Sequence, residues 1–227
     1  MRNVFWYITP AAVIFTVGIV WGLFALAGRW DWYAGWAYLA ILYLVHMTTS
    51  AYLWFTNPDV LKWRTQYGEG TKSWDEICLA AFGVTFLTTL AVAALDGGRY
   101  QWAPIPSELW PLGATLFTAG HGIVTWSMRV NPHFEKTARI QKDRDHKVIT
   151  IGPYRYVRHP GYIGTILGYG LAPPIMLGSW WALLPAALVT LSLIIRTALE
   201  DRMLQNELEG YAGYAERVGF RLVPYLW

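Results

Sequence analysis

The chain has 227 residues, of which 55% are apolar and 15% charged, with 14 Trp, 14 Tyr and a single cysteine. Soluble globular chains carry roughly 25% charge, so this composition excludes an ordinary soluble domain, and with it disordered, collagen-like and disulfide-stapled sequence: Cys78 alone cannot close an internal bridge. The net charge of +3 is small, so the positions of the charges say more than their sum.

Five stretches lack Asp, Glu, Lys and Arg: 3–28, 32–58, 77–95, 109–128 and 159–195. About 20 apolar residues cover the ~30 Å hydrocarbon core of a bilayer, so the first four predict one span each. The first begins after Arg2 and ends near Ala25-Leu26-Ala27, like a signal peptide. Its apolar run exceeds the roughly 7–15 residues of a signal core, which predicts an uncleaved span. Residues 58–72, with Trp63 and Tyr67, read as an interfacial connector. His46 and His121 fall inside spans and read as bundle residues rather than ligands. No Cys or His cluster has metal-site spacing.

The fifth stretch is too long for one helix and is interrupted by Ala172-Pro173-Pro174 and Gly178-Ser179. Proline costs a helix interior about 3 kcal/mol. The expectation is a hairpin of two short helices, near 161–177 and 180–197, with five or six full crossings in all. With the N-terminus in the cytoplasm and six crossings, sixteen of the eighteen Lys and Arg lie on the cytoplasmic side, leaving Arg29 and Arg99 on the other. The predicted fold is therefore all-α: a polytopic integral membrane bundle in one domain, 1–227, with four spans in 1–130, a core in 131–227, and both termini cytoplasmic. Eight basic residues in 129–158 suit an anionic leaflet, at about 1 kcal/mol each close to the surface. A nucleic-acid partner is not expected, because these charges fall where topology requires them.

The segment Val148-Ile-Thr-Ile-Gly-Pro-Tyr-Arg-Tyr-Val-Arg-His-Pro-Gly-Tyr-Ile-Gly164 carries the chemical signal. A β-branched run leads to the turn pair Gly152-Pro153. Arg158-His159-Pro160 then open a helix, where proline's missing N–H costs nothing and free amides favour an anionic group. Gly161, Gly164, Gly168 and Gly170 permit close approach of another backbone or a flat ligand. The plainer reading makes the arginines and tyrosines headgroup anchors, which accounts less well for His-Pro followed by spaced glycines. Arg196 and Glu200 stand i, i+4 where the last span leaves the bilayer. Arg before Glu is the poorer order for a surface pair, and charge near membrane depth lines cavities or pathways.

The motif Gly152-Pro153-Tyr154…Arg158-His159-Pro160-Gly161-Tyr162-Ile163-Gly164, with Arg196-x-x-x-Glu200-Asp201, Tyr211-x-x-Tyr214 and Arg221-Leu-Val-Pro224, resembles the isoprenylcysteine carboxyl methyltransferase family over residues 139–224. The resemblance extends to phospholipid N-methyltransferases and small-thiol S-methyltransferases. It implies a membrane enzyme that takes S-adenosylmethionine from the cytosol, with His146, Val148, Ile149, Tyr154, His159, Pro160 and Tyr162 at the cofactor. Gln141 is a further cofactor candidate if a two-residue gap is allowed. Arg196 and Glu200 fall at the substrate and are the expected catalytic pair. The family often shows paired glutamates where this chain has Glu200-Asp201. The acceptor would be lipophilic or small and reach the site from the bilayer, so membrane lipids are partners and no metal is required.

Methyl transfer from a sulfonium is an in-line displacement that depends on positioning. Arg196 would hold a carboxylate acceptor bidentately, with Glu200 fixing the guanidinium. With a thiol or amine acceptor Glu200 would serve as base. A rival reading is an NADPH-dependent membrane sterol-type reductase, which shares an Arg-His-Pro-like element; Gly152-Pro153-Tyr154 favours the methyltransferase by resemblance. A second rival is a non-catalytic membrane protein that keeps the motif as a structural remnant.

Overall fold

The computed structural model describes residues 16–64 and 68–227; the expectations for Arg2, for the start of the first span and for Tyr67 lie outside them. The described residues form α1 (Thr16–Ala27), α2 (Tyr33–Thr56), α3 (Pro58–Trp63), α4 (Ser73–Ala93), α5 (Trp110–Val130), α6 (Pro160–Thr165), α7 (Ala172–Met176), α8 (Leu183–Glu207) and α9 (Tyr211–Arg217). Wider π-helical turns extend α4 over Ala94–Tyr100 and join α6 to α7 over Ile166–Leu171. Among the described residues the only strand-like pairing is one bridge between Pro104 and Ser179.

Among the described residues three helices are long and apolar enough to cross a membrane: Tyr33–Thr56, Ser73–Tyr100 and Leu183–Glu207. Their apolar side chains point outward as well as inward, with Met47, Phe55, Ile77, Val84 and Leu184 all exposed. A helix that is hydrophobic all round, yet not buried in protein, belongs in lipid.

The hairpin forms, with different boundaries. The π-helical turn changes the winding just before the prolines, so Pro173 and Pro174 fall in the first turn of α7, where no N–H is needed. The chain reverses at Gly178, whose φ of 76° suits glycine. The second leg runs to Glu207, well past residue 197, so Arg196, Glu200 and Asp201 lie within α8 rather than at its end.

Two contacts position the core. α4 packs along α8. α5 crosses the first hairpin leg so closely that a Cβ on Gly164 would overlap the Gly120 carbonyl oxygen. Of the two occupants expected beside the glycines, Gly164 thus meets backbone, while Gly161 faces the Phe134 ring and Gly170 the Thr190 hydroxyl. At the end of the bundle carrying Arg29 and Arg99, the buried Asp96 accepts bonds from the Ala103 amide (2.9 Å) and the Ser179 hydroxyl (2.6 Å), tying the hairpin tip to the loop after α4.

Candidate functional site

Gly152 turns the chain with φ 61°, a short 3-10 turn follows over Gly152–Arg155, and Pro160 opens α6. The tail returns beside this motif. Arg158 and His159 donate their amides to the carbonyls of Phe220 and Arg221, each at 2.9 Å. Tyr214 donates its hydroxyl to the Tyr154 carbonyl at 2.7 Å.

Asp201 gathers the motif and the tail around one carboxylate. Arg158 donates to it at 2.7 and 2.9 Å, Arg221 at 2.8 Å, Gln205 at 2.7 Å and the Tyr211 hydroxyl at 3.1 Å, and His159 Nε2 lies 3.1 Å away. Two guanidinium groups more than neutralise this fully buried acid, which a lone buried carboxylate would require. Its neighbour Glu200 is separate and accepts the Tyr162 hydroxyl.

Arg196 and Glu200 are not each other's partners. The Arg196 guanidinium donates to Asp75 at 2.6 and 3.2 Å and to the Lys136 carbonyl at 2.8 Å. Asp75 also accepts the Ala138 amide at 2.8 Å. The expectation that Glu200 fixes the guanidinium is corrected: Asp75, in the first turn of α4 and fully buried, does so. Arg196 then lies over the face of the Tyr162 ring, 5.4 Å from its centroid, while that ring's hydroxyl reaches Glu200.

The loop between α5 and the motif is held by its own polar contacts. Arg139 is buried between Glu135 (2.8 and 3.0 Å) and Asp143 (2.7 and 3.3 Å). Arg144 bonds Glu135 and Gln141 and stacks on Trp63. Headgroup attraction as the general role of the loop's cations therefore fails for Arg139, Arg144 and Arg158; Arg129, Lys136, Lys142, Lys147 and Arg155 are exposed. Gln141 donates to the His133 carbonyl at 2.7 Å and accepts from His133 Nδ1 at 3.1 Å, so its amide is engaged within the loop. The Gln141 amide N–H donates to His146 Nδ1 at 3.3 Å. Burial, reinforced by His133 and nearby arginines, pushes His146 down to about 4, leaving a neutral ring at pH 7.

These groups open onto one cavity of about 1090 Å³, at the top of the ~300–1,000 Å³ usual for ligand sites. Nine expected residues line it: Gln141, His146, Val148, Ile149, Tyr154, His159, Tyr162, Arg196 and Glu200. Pro160 is buried at the helix start and does not. The cavity continues inward past Phe82, Phe86, His46, His121 and Tyr169. His46 and His121 are bonded, as expected of bundle residues, to the Leu42 and Phe117 carbonyls, yet both also face this space. Residues the sequence reading did not assign to the site are Asp75, which positions Arg196, and Arg158, Tyr211 and Arg221 around Asp201. A carboxylate in a first helical turn is what the helix dipole favours anyway, so nothing marks Asp75 in the sequence; Tyr211 and Arg221 stood in the quoted motif.

Residues 110–209, from the start of α5 to just beyond α8, match the phospholipid methyltransferase family model. Proteins similar to the chain include methanethiol S-methyltransferase 1 of Bradyrhizobium diazoefficiens, 32% identical over 56% of this chain and 49% of the relative. They also include the methanethiol S-methyltransferases of a Pseudomonas species (34%, over 54% of this chain and 52% of the relative) and of Pseudomonas deceptionensis (30%, with the same shares). The chain spans about half the length of the curated relatives it matches.

Proposed function

We propose that the chain is an integral membrane methyltransferase that uses S-adenosylmethionine and methylates a small thiol. The observation that carries this is the single cavity joining the Arg158–Tyr162 motif and Glu200 to an aromatic interior at membrane depth. Its volume has room for a cofactor and a small acceptor together. Bound there, S-adenosylmethionine supplies an electrophilic methyl group on a sulfonium. Glu200 contributes negative charge opposite that cation, and the faces of Tyr154 and Tyr162 suit it as well. Arg196, held by Asp75, fixes the Tyr162 ring and through it Glu200. His146, Val148, Ile149, Tyr154 and His159 form the cofactor wall, and the apolar lining excludes water.

Two points favour a thiol over the carboxyl of an isoprenylcysteine. The relatives are named for methanethiol. The Arg196 fork that would grip an acceptor carboxylate is already engaged by Asp75.

The test is transfer of labelled methyl from S-adenosylmethionine to methanethiol, a prenylcysteine and a phospholipid amine. Methanethiol should be methylated. Transfer to the prenylcysteine alone would overturn the thiol assignment. Tight NADPH binding without S-adenosylhomocysteine binding would overturn the whole reading. Arg196→Ala and Glu200→Ala should abolish turnover and leave S-adenosylhomocysteine affinity within several-fold.

A further inference from the structure

The connector after α2 holds one side chain over the motif. Asn57 ends α2 and donates its side-chain amide to the Met128 carbonyl of α5 at 2.9 Å. Pro58 opens α3, and Val60 anchors it, fully buried. Arg64 ends this helix with its guanidinium over the Phe134 ring, 5.3 Å from the centroid, and Phe134 lies against Gly161. Arg64 is half-buried and lines the cavity. The other arginines on that wall each have an acid: Arg139 has Glu135 and Asp143, Arg158 has Asp201, and Arg196 has Asp75. Among the described residues no carboxylate pairs with Arg64, and residues 1–15 and 65–67 contain no Asp or Glu. Burial pulls its pKa below the ordinary value, yet a guanidinium stays charged, and a desolvated cation is costly until an anion joins it. Resting on the thiol reading above, we infer that Arg64 is a catalytic residue that binds the acceptor sulfur as a thiolate.

The charged and titratable groups that face Arg64 are Tyr162 of α6, Arg196 of α8, His46 of α2 and Tyr169 of the π-helical turn. On its own helix Asp59 and Lys62 are exposed. Arg64 thus faces the Tyr162–Glu200 pair on one side and, on the other, the aromatic inner end where Phe82 and Phe86 pack on Tyr169. Glu200 suits the sulfonium, and Arg64 suits the nucleophile. The thiolate, not the thiol, attacks, and a neighbouring cation lowers a cysteine thiol from about 8.5 to about 3.5–7.5. The acceptor gives its proton to water on binding. Its sulfur lone pair then forms the bond to the methyl carbon while the donor's S–CH₃ bond breaks onto the donor sulfur, so no proton moves in the transfer itself and the product is a neutral thioether. A carboxylate suits this place less. Buried Asp75 gathers two donors from Arg196 and one from the Ala138 amide, whereas beside Arg64 the Tyr162 hydroxyl is given to Glu200 and Tyr169 is bonded to His46 at 2.8 Å. Sulfur accepts weakly and needs fewer donors, and it packs well on aromatic rings.

The test is the pH dependence of kcat at saturating thiol. A free thiol ionises near about 8.5, so the wild type, holding ethanethiol ionised, should show a level kcat from about pH 7 to about pH 9. Arg64→Met should make kcat climb across that range and lower it at least tenfold at its acid end. Arg64→Lys, which keeps the charge, should restore most of it. Thiophenol, already ionised near neutral pH, should give a level profile in every variant. Arg129→Met, the loss of an exposed cation outside the cavity, should leave both profiles as in the wild type. Independently of turnover, thiocyanate should bind the S-adenosylhomocysteine complex of the wild type in calorimetry and not that of Arg64→Met. Arg64→Met should bind S-adenosylhomocysteine within several-fold of the wild type. If it loses that ligand and keeps 5′-methylthioadenosine, which lacks the carboxylate, Arg64 grips the cofactor and the inference is overturned. If it binds neither, it is misfolded, and Arg64→Lys and the wild-type profile decide. Thiol methylation with a climbing wild-type kcat, or with a level one unchanged in Arg64→Met, overturns the role of Arg64 alone. No thiol methylation by the wild type overturns the thiol reading and this role with it.

Discussion

Asp201 and Asp75 are both fully buried acids, and each holds a guanidinium in place. Removing one partner of such a pair leaves an uncompensated charge and costs about 3–5 kcal/mol. Asp201→Ala should therefore lower the thermal midpoint in detergent more than any exposed substitution, and should weaken S-adenosylhomocysteine binding, because Arg158, His159 and Arg221 lose their common anchor. Asp75→Asn keeps the shape and removes the charge; methyl transfer should fall at least tenfold, with cofactor affinity less affected. A third residue sets an acid limit. His146 is pushed down to about 4 from near 6.5 in an unfolded chain. Between those values the unfolded state binds the proton that the folded state refuses, so stability falls as pH drops from about 6.5 toward 4. A series of melting curves across that range should show the loss, and His146→Gln should flatten it.

At the scale of elements, the apolar stretches announced the long helices: Ser73–Tyr100 encloses the expected third span, and the helix Trp110–Val130 forms where the fourth was expected, though it is not among the three apolar enough to cross a membrane. How the helices touch was less legible. The Gly120–Gly164 crossing depends on two glycines from different elements meeting face to face. Spacing along one helix shows a small-residue face and does not say which helix covers it. Overpacking a close contact costs about 1–3 kcal/mol, so Gly164→Ala should lower the melting midpoint by several degrees and reduce methyl transfer by shifting α6 and Tyr162. Gly213→Ala, where a Cβ meets nothing, is the matched control. The first hairpin leg was legible, expected near 161–177 and found over Pro160–Met176, with a π-helical turn just before Pro173 letting the winding continue; the second leg was not, since it runs to Glu207 rather than ending near 197.

For the whole molecule, the charge asymmetry implies an orientation. With both termini cytoplasmic and six crossings, Lys142 and Glu108, both exposed, face opposite compartments. In a Cys78→Ser background, an impermeant maleimide added to sealed vesicles with the cytoplasmic face outward should label Lys142→Cys at once, and Glu108→Cys only after permeabilisation. The reverse pattern would invert the topology. Hydropathy and the count of Lys and Arg speak to this level because transfer into hydrocarbon is a property of each segment alone. The contiguous motif around Arg158-His159-Pro160 was legible for the same reason: its members are neighbours in the chain. Asp75 meeting Arg196 across 121 positions, and Tyr169 meeting His46 across 123, were not. Their pairing depends on which helix faces lie together, and that is a property of the packed bundle, where buried charges and hydrogen-bonding groups must find partners wherever the chain brings them.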